Sequence, residues 1–450
     1  MLLKNKNILV GVTGSIAIYK SLELIRLYIK AGANVKVIMS ESAKRFIAPL
    51  TFETIAQNSI LDESTESWDK NSINNHIAIG KWADIFILAP ATANTINKLS
   101  NGIADNLLLQ TALAYPRIKL LSPAANTNMI ENPITKASLK MLALCNFKTI
   151  SPISKELACR DIGNGAMAEV IDIFDATVRE LLKDSYWVDR KVVLNGGATI
   201  EKIDDVRFIS NFSSGKMAGS LATALYYKGA DVCLVGSSDF KVPSDVHIIK
   251  TTSTQEMNGY LVDCIRVAKK GKLSNATLMD NSNVQLIQKK PYFFGVAAVS
   301  DYTPKYPQNG KLKKDDIGEN WSLELTKNID ILANLPKEDI YTIGFKAEMD
   351  KANGKQNALF MLENKNLDGV CLNILDEQNS FGSDTNNLHF LSFQKPTSQQ
   401  ELFTIGNPES IDSDQSEQIV SNQFFENFFS GDKLNVSFDL LKTLEEVFSE

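Results

Sequence analysis

The chain has 450 residues, 44% of them hydrophobic and 22% charged, and 47 basic against 53 acidic side chains leave a net charge of −6. At roughly 150 residues per domain this length predicts two or three domains with a large buried core, and the composition excludes wholesale disorder. No basic surplus exists to neutralise a run of phosphates, which argues against a nucleic-acid binder, whereas small anions can still be held by backbone N–H groups.

From the amino terminus, Asn7-Ile-Leu-Val10 reads as a strand and Gly11-Val-Thr-Gly14-Ser15 as a turn. Ile18, Leu22, Ile25 and Ile29 then recur at helical spacing, Ala31-Gly-Ala-Asn34 ends the helix, and Val35–Met39 is a second strand. Such a β-α-β unit has parallel strands and a right-handed crossover. Strands at Asp84–Ala89 and Lys119–Leu121, with helical stretches between, extend it into an open parallel sheet covered on both faces.

The rhythm restarts near residue 190. Lys191-Val-Val-Leu194 leads into Asn195-Gly196-Gly197, and Ser213-Ser-Gly-Lys-Met217 opens a helix that ends at Lys228-Gly229-Ala230. Asp231–Val235 is the next strand, followed by strands at Phe293–Ala298, Tyr341–Phe345 and Gly369–Asn373. The fold class is therefore α/β, with two doubly wound parallel-sheet domains over residues 1–190 and 191–450 and a boundary within Asp184–Asp189. Gln394 to Asp432, rich in Ser, Gln, Asn and Glu, reads as an irregular surface insertion, and Phe438 to Phe448 as a last helix.

The five cysteines, Cys145, Cys159, Cys233, Cys264 and Cys371, lack CxxC spacing, so neither a disulfide framework nor a structural zinc site is expected. The first residues lack the pattern of a signal peptide, and no apolar stretch is long enough to span a membrane. A reducing cytoplasm is the predicted compartment.

Several residues carry chemistry beside a plainer alternative. Gly11-x-x-Gly14-Ser15, between strand and helix, is an anion-site candidate or simply a tight turn, and it is not the dinucleotide GxGxxG. His247 and His389 sit in strand-like contexts, whereas His76 stands just ahead of the strand that reaches Ala89-Pro-Ala-Thr92, where an imidazole can serve as acid or base. Cys159 lies in a polar, glycine-bearing segment. In Pro123-Ala-Ala-Asn126 the amide holds a carboxylate or caps a helix. Ser213-Ser-Gly-Lys216 fails the Walker pattern, because Ser210 stands where its first glycine belongs and Met217 follows the lysine. Asp301, with Lys311-Leu-Lys-Lys314 beyond it, suits metal–triphosphate binding or a solvated loop.

Taken together these segments resemble the flavin-dependent cysteine decarboxylases in the first half. The motifs are Gly14-Ser-Ile-Ala-Ile-Tyr-Lys20, His76, Ala89-Pro-Ala-Thr-Ala-Asn94, Pro123-Ala-Ala-Asn126 and Ala158-Cys159. With Asn211-Phe-Ser-Ser-Gly-Lys-Met217, Ala297-Ala-Val-Ser-Asp-Tyr302, Lys311-Leu-Lys-Lys314, Gly344-Phe345 and Phe381-Gly-Ser-Asp384, nearly the whole chain resembles a bifunctional family. That family joins a phosphopantothenoylcysteine decarboxylase to a phosphopantothenate–cysteine ligase in bacterial coenzyme A biosynthesis.

The resemblance implies a flavodoxin-like first domain that binds FMN, with the phosphate at the Gly14 turn and Ser15, Ser40, Thr92 and Asn94 as contacts. His76 would assist oxidation of the cysteinyl thiol, Asn126 would fix the leaving carboxylate, and Cys159, on a flap, would donate a proton. The second, Rossmann-like domain would join 4′-phosphopantothenate to cysteine through an acyl-cytidylate. Asn211 would orient that intermediate, and Ser213, Ser214, Gly215 and Lys216 would surround phosphate. Asp301, Lys311, Asn328, Ile329, Asp330, Ile331, Phe345 and Lys365 would bind CTP, with Mg2+ bridging phosphates. Trimers of the first domain and dimers of the second would build a homo-oligomeric dodecamer.

Departures from the family pattern are Ala125 for a methionine, Arg160 after Cys159, Ala166 where an arginine-bearing motif is usual, Ile329 for a proline and Met361 for a lysine. Compensation for the lost arginine by Arg160 is an expectation that an unchanged Km and kcat in Arg160→Ala would refute. An FMN-binding homologue retaining one activity is the alternative. A nicotinamide-linked oxidoreductase is disfavoured by the absent GxGxxG and its acidic partner.

Overall fold

The computed structural model describes residues 1–69, 72, 74–156, 162–273, 284–313, 318–375, 382–394 and 424–449. It divides into two compact units, Met1–Lys183 with Leu273–Gln285, and Asp184–Lys272 with Leu286–Glu450.

In the first unit Asn34–Met39, Asn7–Val12, Ile85–Ala91, Lys119–Pro123 and Phe147–Thr149 lie side by side, parallel throughout. Numbered along the chain, that order is 2-1-3-4-5, the flavodoxin-like arrangement. The central strand Ile85–Ala91 is buried at every position, as expected for a parallel strand covered on both faces. Leu9, Phe86, Leu88 and Leu121 build one side of its core with Leu107, Leu108 and Tyr115. Each such side chain is worth about 1.5–3 kcal/mol when fully buried.

Its turn-to-helix junctions follow from local chemistry. The helix Ile18–Lys30 buries Ile18, Ser21, Leu24, Ile25 and Tyr28 on one face. His76–Trp82 begins at an Asn75 cap whose side chain accepts from the Ala78 amide at 2.9 Å. Thr92 caps Ala93–Ser100 in the same way, accepting from the Thr95 amide at 3.3 Å.

The second unit has an eight-stranded sheet: His247–Lys250, Asp231–Gly236, Lys191–Gly196, Tyr292–Gly295, Tyr341–Glu348, Gly369–Ile374, Thr385–Ser392 and Phe425–Asp432. The first six are parallel and, numbered along the chain, run 3-2-1-4-5-6, the Rossmann order. The sheet departs from an all-parallel expectation at its far edge, where the last two strands are antiparallel. Residues 375–384, which separate the two strands, are fewer than the dozen or more that a parallel crossover takes, in keeping with the antiparallel pairing.

Phe425–Asp432 also corrects the reading of Gln394 to Asp432 as wholly irregular: its last eight residues pair in register with Thr385–Ser392. Phe429 faces inward while Phe428 is half exposed, the one-sided burial of an edge strand. The last helix starts at Lys433 instead of Phe438, because Asp432 caps it by accepting from the Asn435 amide at 3.0 Å. Residues 395–423 lie outside the described residues.

Candidate functional sites

Ligands of open α/β sheets bind beyond the carboxyl ends of the strands, where the strand order reverses. In the first unit that point lies between Asn7–Val12 and Ile85–Ala91. Thr13 joins the two strand ends: its hydroxyl donates to the Pro90 carbonyl at 2.7 Å and accepts from the Thr92 amide at 3.1 Å. The neighbouring end is drawn in by the Ser40 amide, which donates to the Val12 carbonyl at 3.1 Å. Gly14 leaves no room for a side chain, since a Cβ there would stand 2.6 Å from the Ser42 Cβ.

The resulting rim, Gly14, Ser15, Ser40, Thr92 and Asn94, holds hydroxyl, amide and backbone groups and no net charge of its own. The following helix, Ile18–Lys30, has no side-chain cap and no acidic residue in its first turn, so its positive end is left to an anion. These features fit the phosphate and polar ring edge of a flavin mononucleotide.

Asn126 stands beyond the next strand, Lys119–Pro123, and caps the helix Thr127–Glu131 by accepting from the Asn128 amide at 2.9 Å. The capping role of that amide is therefore the one the geometry shows, and it engages the amide oxygen. Beside it, the Thr127 hydroxyl is buried without a hydrogen-bond partner among the described residues. A hairpin formed by Ile153–Glu156 and Ile162–Ala166 is laid on this loop: the Ala125 amide donates to the Gly165 carbonyl at 3.1 Å. Only glycine permits this approach, since a Cβ on Gly165 would meet the Ala125 carbonyl oxygen at 2.2 Å and one on Gly163 the Thr127 hydroxyl at 2.2 Å. Cys159 and Arg160 belong to the segment joining the two hairpin strands and lie outside the described residues. Ala166, by contrast, is seen closing the hairpin opposite Ile153.

His76 is the first residue of a helix antiparallel to the strand it feeds. The far end of that helix is fixed near the start of the sheet, where the Asn7 side chain donates to the Trp82 carbonyl at 3.1 Å. His76 therefore lies toward the carboxyl edge, the edge that carries Thr92. Its Nδ1 is 3.7 Å from the Glu66 carboxylate, and the edge of Trp68 packs against its ring at 5.2 Å between centroids.

In the second unit the strand order reverses between Lys191–Gly196 and Tyr292–Gly295, and a cavity of about 450 Å³ opens there. Eleven residues singled out from the sequence line it. Ser213, Ser214, Gly215 and Lys216 form one wall; Asn328, Ile329, Asp330 and Ile331 form another; Asp301, Phe345 and Lys365 complete the group. Met361, where a lysine is usual, lines it too. Asn211 and Lys311 are not among the lining residues. The Asn211 amide donates to the Val299 carbonyl at 3.0 Å, and Lys311 sits on an exposed loop fastened at Leu312, whose amide donates to Asp204 at 3.2 Å.

Gly215 is the N-cap of the helix Lys216–Tyr227 and has a φ of +71°, which favours glycine. Asp330 caps the short helix Ile331–Asn334 and pairs with Lys365 at 2.8 Å. Burial opposes ionisation of Asp330, but the hydrogen bonds from Lys365 and the Ala333 amide outweigh it and hold the carboxyl below the usual range.

Two lining residues carry roles that the sequence did not suggest. Asn195 is buried, and its carbonyl oxygen accepts from the Val296 and Ala297 amides at 2.7 and 2.9 Å, clamping the two strand ends across the crevice. Lys433 begins the helix Lys433–Phe448, and Lys216 begins the one packed against it. A lysine at a helix N-terminus opposes the helix dipole. Two such lysines on one cavity are the local signal that sequence reasoning passed over. Asp384, whose side chain accepts from Lys216 at 2.7 Å, neutralises one of them. Burial and the nearby Lys216 push the Lys433 amine below its ordinary value.

A family model described as Flavoprotein matches residues 2–182, and one described as DNA/pantothenate metabolism flavoprotein C-terminal domain matches residues 187–270 and 265–404. The chain is similar to the Coenzyme A biosynthesis bifunctional protein CoaBC of Borreliella burgdorferi, 34% identical over 397 residues, which cover 87% of this chain and 94% of that one. To the protein of the same name from Haemophilus influenzae it is 36% identical, over 86% of this chain and 91% of that one. To that of Bacillus subtilis it is 35% identical, over 86% and 90%.

Proposed function

Because this chain belongs to the family of bifunctional coenzyme A biosynthesis proteins, we propose that its two compact units carry the family's two activities. The chain is a flavoprotein decarboxylase and a ligase in one polypeptide. One observation carries the reading: two reversal points in two sheets present opposite chemistries, an uncharged hydroxyl-and-amide rim and a lysine-bearing cavity.

In the first unit FMN is held at the Gly14 turn, with Ser15, Ser40, Thr92 and Asn94 on its polar groups. When bound, it would supply the two-electron oxidation that makes loss of CO2 from a cysteinyl carboxylate feasible and would return the same two electrons once CO2 has left, so that the product is a thiol again. His76 takes the thiol proton of phosphopantothenoylcysteine. The Asn126 NH2 group donates to the substrate carboxylate and keeps it aligned for departure. Cys159 returns a proton to carbon.

In the second unit a carboxylate is converted to an amide. An amine cannot expel oxide from a carboxylate, so the acid of 4′-phosphopantothenate first attacks the α-phosphorus of CTP; pyrophosphate leaves, and a mixed anhydride with CMP forms. Cysteine's amine then displaces CMP. Lys216, Lys365 and Lys311 neutralise phosphate charge, while Asp301 would hold a Mg2+ ion, which would supply further positive charge for the triphosphate. Among the described residues no three His, Cys, Asp or Glu side chains converge as a metal site. Asn211 orients the anhydride.

The working form is a homo-oligomer, the dodecamer of trimers and dimers. Exposed Phe208, Phe212 and Tyr302 on the second unit support a subunit contact there. No helix among the described residues is long and apolar enough to cross a membrane. The proposed site of action is the cytoplasm, as for the family. Flavin absorbance in the purified full-length protein and the ratio of kcat/KM for CTP to that for ATP test the assignment. A colourless protein refutes the first half, and a preference for ATP refutes the choice of nucleotide.

A further inference from the structure

Near His76 two buried polar atoms are left over. The Glu66 Oε1 and the His76 Nδ1 are both shielded from solvent, and neither has a hydrogen-bond partner among the described residues. They face each other at 3.7 Å, just beyond hydrogen-bond range. An unsatisfied buried donor or acceptor is destabilising, so two such atoms left adjacent and unused favour the small side-chain movement that joins them.

The surroundings make this the natural partner of the imidazole. Trp68, two residues beyond Glu66, packs edge-on against the His76 ring and limits its rotation. The helix packed on His76–Trp82 is Leu107–Ala114, which carries no charged side chain. Other charged groups lie toward the far end of the histidine's helix: Lys81 in its last turn, and Arg117, which donates to the Ala83 carbonyl. Among the described residues Glu66 is the carboxylate within ion-pair distance of His76.

We propose that Glu66 is a positioning residue for His76: its carboxylate accepts the Nδ1 proton, fixing the tautomer in which Nε2 is the basic nitrogen turned toward the substrate thiol. This rests on the reading of His76 as the base. A neutral histidine free to hold its proton on either nitrogen spends part of its time with Nε2 protonated and unable to accept. A carboxylate behind Nδ1 removes that state and stabilises the imidazolium formed when the thiol proton arrives, as a buried carboxylate does in hydrolase triads.

Glu66→Gln in the full-length flavin-loaded protein tests this, with His76→Asn beside it. Loss of the carboxylate destabilises the imidazolium, so the acid limb of the decarboxylase pH–rate profile moves to lower pH by about one unit. The plateau kcat falls roughly tenfold or more, with KM and flavin absorbance unchanged. A merely structural role leaves the pH profile where it was. An unchanged profile and kcat in Glu66→Gln, with His76→Asn inactive, overturns the positioning role alone. Full activity in His76→Asn overturns the underlying reading of His76.

Should Glu66→Gln fail to fold, the wild-type protein labelled with 15N-histidine decides the matter. It has three histidines. A Nδ1–H, Nε2-bare shift pattern for His76 supports the proposal, and the opposite tautomer overturns it.

Discussion

The two reversal points differ in how they manage charge. The first is built from neutral groups on helix and strand ends, and the positive pole of Ile18–Lys30 is the main attraction it offers an anion. The second is built from side-chain charges already compensated inside the protein, Lys365 by Asp330 and Lys216 by Asp384. A neutral rim suits a group bound once and kept. A cavity of balanced ion pairs suits a substrate that arrives highly charged and must leave, because internal carboxylates reclaim the lysines on release.

This contrast predicts which changes should separate the activities. The largest effect is expected from Asn126→Asp, which places a like charge against the substrate carboxylate. Decarboxylation should drop by about a thousandfold, within the range for removing one aligned donor, and ligation should be untouched. Equal loss of both activities in single-turnover assays would break the contrast. Next comes Gly165→Ala, whose methyl would sit 2.2 Å from the Ala125 carbonyl oxygen. Lifting the hairpin should lower decarboxylase kcat roughly tenfold or more through misplacement near the chemistry. Ligase rates serve as the internal control.

Lys433→Gln should raise the ligase KM for one phosphate-bearing substrate about tenfold with little change in kcat, and titrating CTP and phosphopantothenate separately identifies which. The Asp330–Lys365 pair adds a pH signature. Because the Asp330 pKa is depressed, the pair is intact above the usual carboxylate range and is lost only as pH falls through the lowered value. The nucleotide KM should thus stay flat down to about pH 5 in wild type. The smallest expected effect is Asn75→Ala, which removes the cap of the His76 helix at a cost of about 1 kcal/mol, seen as a modest fall in Tm.

Much of this architecture was legible in the residues. Glycine-punctuated alternation of apolar strand and amphipathic helix repeats in both halves, and periodicity alone indicated parallel crossovers. Eleven cavity residues are legible from the sequence, since short turns at strand ends are where the ligand edge of such sheets must lie. What stayed hidden depended on contacts between distant segments. Phe425–Asp432 becomes a strand through pairing with Thr385–Ser392, and its Phe-Phe-Ser-Gly sequence has no clean alternation to announce it. Lys433 reaches the cavity because its helix packs on Lys216–Tyr227. Glu66 and His76 are brought together across a stretch without helical or strand spacing. Asn195 was visible only as part of a turn, although its side chain is what joins the two strand ends.

The central claim is that one polypeptide makes an amide in one crevice and decarboxylates the product in another. Mass spectrometry of the wild-type protein given 4′-phosphopantothenate, cysteine and CTP tests it most directly. Formation of 4′-phosphopantetheine with one CMP and one CO2 per turnover is the predicted result. Consumption of CTP with phosphopantothenoylcysteine as the sole end product, or no amide at all, would contradict it.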